Sequence, residues 1–206
     1  MFLKICGITR LSDALHAVKH GAGALGFVFW PQSPRCISPE RAARIIAALP
    51  PDVDAVGVFV NESVDGIRAV VAQTGISAVQ LHGDETPGYA DALGWPVLRA
   101  ITVDQAEHAA AAWPPETMFL MDAGDPVRRG GTGLLVDWQQ AAASAARGRR
   151  IVLAGGLTPD NVAGAIDMVR PFGVDVSSGV EDAPGVKNSD KVARFLASAR
   201  SAFDKR

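Results

Sequence analysis

Arg150-Ile-Val-Leu-Ala-Gly-Gly-Leu-Thr-Pro-Asp-Asn161, running on to Val169, reads as a short apolar strand, a glycine turn and a helix. The strand is predicted over Arg150–Gly155 and the helix over Thr158–Val169, with Thr158-Pro159 suited to the N-cap and first turn. Gly173-Val-Asp-Val-Ser-Ser-Gly-Val180 repeats the form: a strand over Gly173–Ser178, a Ser/Gly turn, then a helix near Asp190–Phe203. Read toward the N-terminus, the same beat recurs. Further strands are predicted at Leu3–Ile8, Ala24–Trp30, Asp54–Val60, Ala78–Gly83, Pro96–Thr102 and Met118–Ala123. Helices fall between them at Ser12–His20, Pro39–Ala48, Val64–Thr74, Thr86–Leu93, Asp104–Trp113 and Asp137–Ala146. Ser12, Ser38, Asp104 and Asp137 are read as helix-start residues alongside Thr158.

Strand–helix units in unbroken series predict parallel strands joined by helical crossovers. Eight of them favour a closed (βα)8 TIM barrel of the phosphate-binding type over an open doubly wound sheet. No Gly-x-Gly-x-x-Gly follows the first strand, as a dinucleotide-binding sheet would want. The 206 residues leave little chain for anything else, so residues 1–206 are expected to form a single barrel domain.

Hydrophobic residues make up 48% and charged residues 20%, a balance that supports a sizeable core. A formal charge of −2 without a Lys/Arg cluster argues against nucleic acid and for a small-molecule partner. The N-terminus lacks the features of a signal peptide, and no apolar run reaches the roughly 18 residues of a membrane span. Cys6 and Cys36 are the only cysteines and show no metal-ligand spacing, so reduced thiols, a cytoplasmic setting and no metal are expected.

Several strands break the all-apolar pattern of a buried parallel sheet on one parity only. Lys4 and Cys6 oppose Leu3 and Ile5; Gln80 and His82 oppose Val79 and Leu81. Arg99 opposes Leu98 and Ala100, Asp122 opposes Phe119 and Met121, and Asp175 and Ser177 oppose Val174 and Val176. The polar sets are expected to point into the barrel, where buried charges must pair or serve a ligand. Lys4, Arg99 and Asp175 also suit an internal ion network. Cys6 and Asp122 lie nearest the C-terminal rim, where barrel enzymes hold their active sites.

The turns Ala154-Gly155-Gly156-Leu157 and Ser177-Ser178-Gly179-Val180 follow the last two strands, the usual phosphate site of this architecture. Arg35, after the second strand, has a fork suited to a carboxylate, although on its own it reads as an ordinary surface arginine.

Together these motifs resemble the phosphoribosylanthranilate isomerase family of tryptophan biosynthesis. The resemblance runs in order through Lys4-Ile-Cys-Gly-Ile-Thr9, Gly26-Phe-Val-Phe29, Ser33-Pro-Arg35, Ile37-Ser-Pro39, Val56-Gly-Val-Phe-Val-Asn61 and Val79-Gln-Leu-His-Gly83. It continues through Gly130-Gly-Thr-Gly133 with Asp137-Trp138, Gly155-Gly-Leu157 with Pro159-Asp-Asn161, and Val174-Asp-Val-Ser-Ser-Gly-Val-Glu181. It departs at Cys36, Leu134 and Asn188, where the family often carries an aromatic residue, a lysine and an aspartate.

The resemblance implies an Amadori rearrangement of N-(5-phosphoribosyl)anthranilate to 1-(2-carboxyphenylamino)-1-deoxyribulose 5-phosphate without a cofactor. It implies Cys6 as general base, Asp122 as general acid and Arg35 on the anthranilate carboxylate. Gly155, Gly156, Ser177, Ser178 and Gly179 would hold the phosphate, with Gln80, His82 and Asp175 also against the substrate. A monomer or homodimer is expected. Acid catalysis by Asp122 requires a carboxyl pKa raised by a shielded site, and Lys4 is a candidate for lowering that of Cys6. The connection Gly124–Val136 reads as a cover over the bound substrate. The sister isomerase of histidine biosynthesis shares the fold, but carries an aspartate where Cys6 stands and needs a second anion site. Asp84-Glu85, after the fourth strand, is expected to repel that second phosphate. Another phosphosugar barrel enzyme, such as an epimerase or a thiamin phosphate synthase, is the broader enzyme alternative, and a non-catalytic phosphometabolite-binding protein is the alternative outside enzymes.

Overall fold

The structure, a computed structural model, describes residues 1–124 and 135–206. The body of the connection read as a cover, with Leu134, lies outside the described residues. Eight parallel strands close into a barrel: β1 (Phe2–Cys6), β2 (Ala24–Val28), β3 (Asp54–Phe59), β4 (Ala78–Leu81), β5 (Val97–Ile101), β6 (Met118–Met121), β7 (Ile151–Leu153) and β8 (Gly173–Val176). The seam is β8 against β1, with Lys4 opposite Asp175. Helices α1 (Leu11–Lys19), α2 (Pro39–Ile46), α3 (Val64–Thr74), α4 (Pro87–Leu93), α5 (Ala106–Ala112), α6 (Trp138–Ala145), α7 (Val162–Val169) and α8 (Ser189–Asp204) intervene and end the chain.

Parity divides the core. Leu3, Ile5, Leu25, Phe27, Val79, Leu81, Phe119, Met121, Val174 and Val176 pack outward in one large cluster under the helices. The barrel interior holds two smaller groups, Leu98, Ala100, Leu120, Val152 and Ala154 on one side and Cys6, Val28 and Val58 on the other. Lys4 enters this interior fully buried, and its Nζ lies 3.0 Å from Asp175 Oδ1. Removing one partner of such a pair leaves an uncompensated charge. Lys4→Met is therefore expected to cost about 3–5 kcal/mol of stability, read as a lower urea midpoint at pH 7.

Arg99 corrects the inward reading of polar strand residues. Its neighbours in register are Leu81 and Phe119, both outward-facing. The side chain lies under the helical layer, with Nη1 2.7 Å from Glu85 Oε2, Nη2 donating to the Gly83 carbonyl and the guanidinium over the Trp113 ring. Among the described residues the internal ion pair is thus Lys4 with Asp175, and Glu85 is taken by Arg99. Glu85 also accepts from the backbone N–H groups of Asn61 and Gly83. Repulsion of a second phosphate by Glu85 therefore has no structural basis.

Ser38 and Asp137 cap their helices as expected, accepting from Arg41 N–H and from Gln139 and Gln140 N–H. Three starts differ. Helix α1 begins at Leu11, so Ser12 lies inside it, and α5 begins at Ala106 rather than after Asp104. Helix α7 begins only at Val162. Thr158 to Asn161 instead form a turn in which Asn161 accepts from Thr158 N–H and donates to the Gly156 carbonyl. After β8 come a 3₁₀ turn (Ser178–Val180) and a small hairpin, β9 (Glu181–Ala183) and β10 (Val186–Lys187), that the strand–helix reading did not contain.

Candidate active site

The C-terminal rim encloses a cleft of about 740 Å³, its open mouth included, a size suited to a small metabolite. Cys6, Arg35, Gln80, His82, Asp122, Gly155, Gly156, Asp175, Ser177, Ser178 and Gly179 all line it. The eleven candidates thus meet in one place although they come from six different βα units. Trp30 and Ser33 also line it, and sequence reasoning missed them; both belong to the loop after β2 that carries Arg35.

Cys6 ends β1 and is 8% exposed. Burial pushes its thiol above the ordinary 9.0, and the neighbouring Lys4 ammonium opposes the rise without overcoming it. Lys4 therefore acts in the expected direction with less effect than burial. Across from Cys6 on β2, a Cβ on Gly26 would stand 2.7 Å from Cys6 Sγ. Gly26→Ala must displace the sulfur, and it is expected to lower kcat/KM about tenfold while binding of a product analogue changes little.

Asp122 follows β6 on the inner parity. Burial pushes its carboxyl above 3.8, against the pull of the Ala123 N–H, which donates to Oδ1 at 2.8 Å, and of Lys4. His82 Nε2 stands 3.7 Å from Asp122 Oδ2, too long for a hydrogen bond. Burial first, then Lys4, pulls the imidazole down to about 4, so it is neutral at pH 7. Its Nδ1 lies 3.0 Å from the Gln80 amide nitrogen. Asp122 therefore faces a neutral neighbour, which does nothing to keep it ionised.

The two turns are built for close approach. Gly155 and Gly156 adopt φ of 74° and 65°, the left-handed region that side chains resist. A Cβ on Gly179 would stand 1.9 Å from the Leu157 carbonyl oxygen, so the turns after β7 and β8 press against each other. No acceptor among the described residues takes the backbone N–H of Gly155, Gly156 or Gly179. An anion between the turns would meet these donors directly.

Arg35 is not a free surface arginine. It is 9% exposed, and its Nε and Nη2 bond Glu181, with Nη2 to Oε2 at 2.7 Å. Glu181 had no signal in strand parity because it stands on the β9–β10 hairpin rather than on a barrel strand.

A family model described as N-(5'phosphoribosyl)anthranilate (PRA) isomerase matches residues 3–198. An N-(5'-phosphoribosyl)anthranilate isomerase of Trichlorobacter lovleyi is 51% identical over 206 residues, covering 98% of each chain. One from Citrifermentans bemidjiense is 52% identical over 199 residues, covering 96% of each. Among solved structures, phosphoribosyl anthranilate isomerase from Thermotoga maritima superposes with a TM-score of 0.90 at 44% identity, covering 98% of this chain and 99% of its own. Another phosphoribosyl anthranilate isomerase, in complex with reduced 1-(o-carboxyphenylamino)-1-deoxyribulose 5-phosphate, gives 0.87 at 43% identity, with the same coverage.

Proposed function

Because the chain belongs to the N-(5'-phosphoribosyl)anthranilate isomerase family, an isomerase of tryptophan biosynthesis acting on a phosphorylated small molecule, we propose that Cys6 and Asp122 are its base and acid. The observation that carries this assignment is a thiol from β1 and a carboxyl from β6 lining one cleft, the carboxyl held above its ordinary pKa by burial.

Asp122 gives its proton to the furanose oxygen as the C1′–O bond breaks, and the anthranilate nitrogen's lone pair forms the C1′=N bond of an iminium. The cation makes the C2′ proton acidic. The Cys6 thiolate removes it, leaving an enaminol that takes a proton at C1′ and loses the one on its 2′-oxygen to become the ketose. A general acid and a general base each contribute about 10²–10⁴ to such a rate. The glycine and serine turns hold the phosphate, and Arg35 holds the anthranilate carboxylate. Gln80, His82 and Asp175 complete the substrate pocket. Within this reading residues 1–206 act as one cytoplasmic catalytic domain, as a monomer or homodimer.

The assay is the loss of phosphoribosylanthranilate fluorescence on adding purified protein. First-order decay that scales with enzyme is the expected result; a rate no faster than the buffer blank would reject the proposed reaction.

A further inference from the structure

Glu181 and Lys187 lie outside the acid, the base and the phosphate turns, yet both are buried beside the cleft. Glu181 grips one edge of Arg35: Oε1 takes Nε at 3.0 Å, and Oε2 takes Nε at 3.2 Å and Nη2 at 2.7 Å. Lys187 Nζ lies 2.7 Å from Glu181 Oε1 and donates to the Ser177 carbonyl at 3.2 Å. The Gly185 N–H also donates to Oε1. Arg35 Nη1 has no hydrogen-bond partner among the described residues.

The charges do not cancel. Lys4 is matched by Asp175, and Arg10 by Asp13. Arg35 and Lys187 share the single carboxylate of Glu181, so among the described residues this three-residue cluster carries one positive charge more than it pairs, apart from the single negative charge of the Cys6–Asp122 pair in the same cleft. Burial raises the Glu181 carboxyl, but the Arg35 bonds and Lys187 outweigh it and keep it ionised. An excess buried cation at a ligand cleft is costly until an anion arrives.

We propose that the β9–β10 hairpin is the device that sets specificity for a carboxylated substrate: Glu181, anchored by Lys187, fixes Arg35 so that only its Nη1 side faces the cleft, with one unit of charge to be neutralised. This rests on the reading of Arg35 above and goes beyond it by assigning positioning roles to Glu181 and Lys187. A mere staple for the hairpin would need neither the two-point grip on a cleft-lining guanidinium nor the second cation.

Glu181→Asp keeps the charge and withdraws the carboxylate by one methylene, so it tests position alone. Lys187→Met removes the excess charge and leaves the Arg35–Glu181 pair. Calorimetry on the full chain would compare reduced 1-(2-carboxyphenylamino)-1-deoxyribulose 5-phosphate with the same molecule lacking the carboxyl. The readout is the ratio of the two affinities, in which effects on the shared phosphate cancel. We expect that ratio to fall about tenfold in Glu181→Asp and about threefold in Lys187→Met. KM in Glu181→Asp should rise about tenfold, with kcat within about threefold of wild type.

A ratio in Glu181→Asp equal to that of the wild type, with both affinities weakened alike, overturns the proposal and leaves a structural staple. If Glu181→Asp does not fold, an unchanged ratio in Lys187→Met overturns it instead. A wild-type protein with no preference for the carboxylated ligand rejects the Arg35 reading itself; a preference that survives both substitutions rejects only the positioning role.

Discussion

Asp122→Asn is expected to lower kcat at least about a hundredfold while binding of the reduced product analogue stays within about threefold of wild type. The amide matches the carboxyl in shape, so the cleft keeps its form, and among the described residues the contact with the Ala123 N–H is the one hydrogen bond at risk. What vanishes is a proton that can be given to an alkoxide as it forms. Burial favours that proton in the wild type, and His82 beside it stays neutral, so among the described residues Lys4 is the cation that opposes it, and burial outweighs Lys4. Steady-state fluorescence assays on folded protein, with calorimetry for the analogue, would measure both quantities. Near-normal turnover would remove Asp122 from the acid role.

Cys6→Ala should have an effect of the same order, at least about a hundredfold on kcat, again with analogue binding preserved. Its pH signature separates the base from a bystander thiol. The productive form carries a proton on Asp122 and none on Cys6. Both pKa values are raised, Asp122 above 3.8 and Cys6 above 9.0, each chiefly by burial. Between them the pair holds one proton, and a constant minor fraction has it on the carboxyl. Below the Asp122 pKa both groups are protonated and the base is lost; above the Cys6 pKa neither is protonated and the acid is lost. Wild-type kcat/KM should therefore be flat between the two pKa values and fall about tenfold per pH unit on either side. A profile that climbs through pH 9 to a stable alkaline plateau would show that no second proton is needed.

The barrel was legible because eight strand–helix beats leave few other topologies, and all eight barrel strands fall where the apolar runs predicted, with no end shifted by more than two residues. The lining of the candidate cleft was legible where a polar residue broke an inward face, as at Cys6, Gln80, Asp122 and Asp175, with Lys4 buried in the barrel interior against Asp175. Arg99 shows why parity alone is insufficient. It records that a strand has a polar side, not which side faces in. In β5 the interior is filled by Leu98 and Ala100, which pack with Leu120, Val152 and Ala154, so the arginine goes outward to Glu85 and Trp113.

The β9–β10 hairpin was not legible from periodicity, since its strands are three and two residues long and mostly polar. The Pro184-Gly185 pair between them was the available turn signal, and Gly185 does take a φ of 78°. Helix starts failed for a related reason. At Thr158 and Asp104 the local turn satisfies its own backbone through Asn161 and Gln105, which delays the helix by two to four residues.

One structure determination tests the chemistry most directly: this protein bound to reduced 1-(2-carboxyphenylamino)-1-deoxyribulose 5-phosphate. Cys6 Sγ should lie about 3–3.5 Å from C2′ of the sugar chain, and an Asp122 oxygen within about 3 Å of O4′, on the other side of the same chain. A ligand seated with its phosphate between the two turns but with either group out of reach of its atom would contradict the assignment of base and acid.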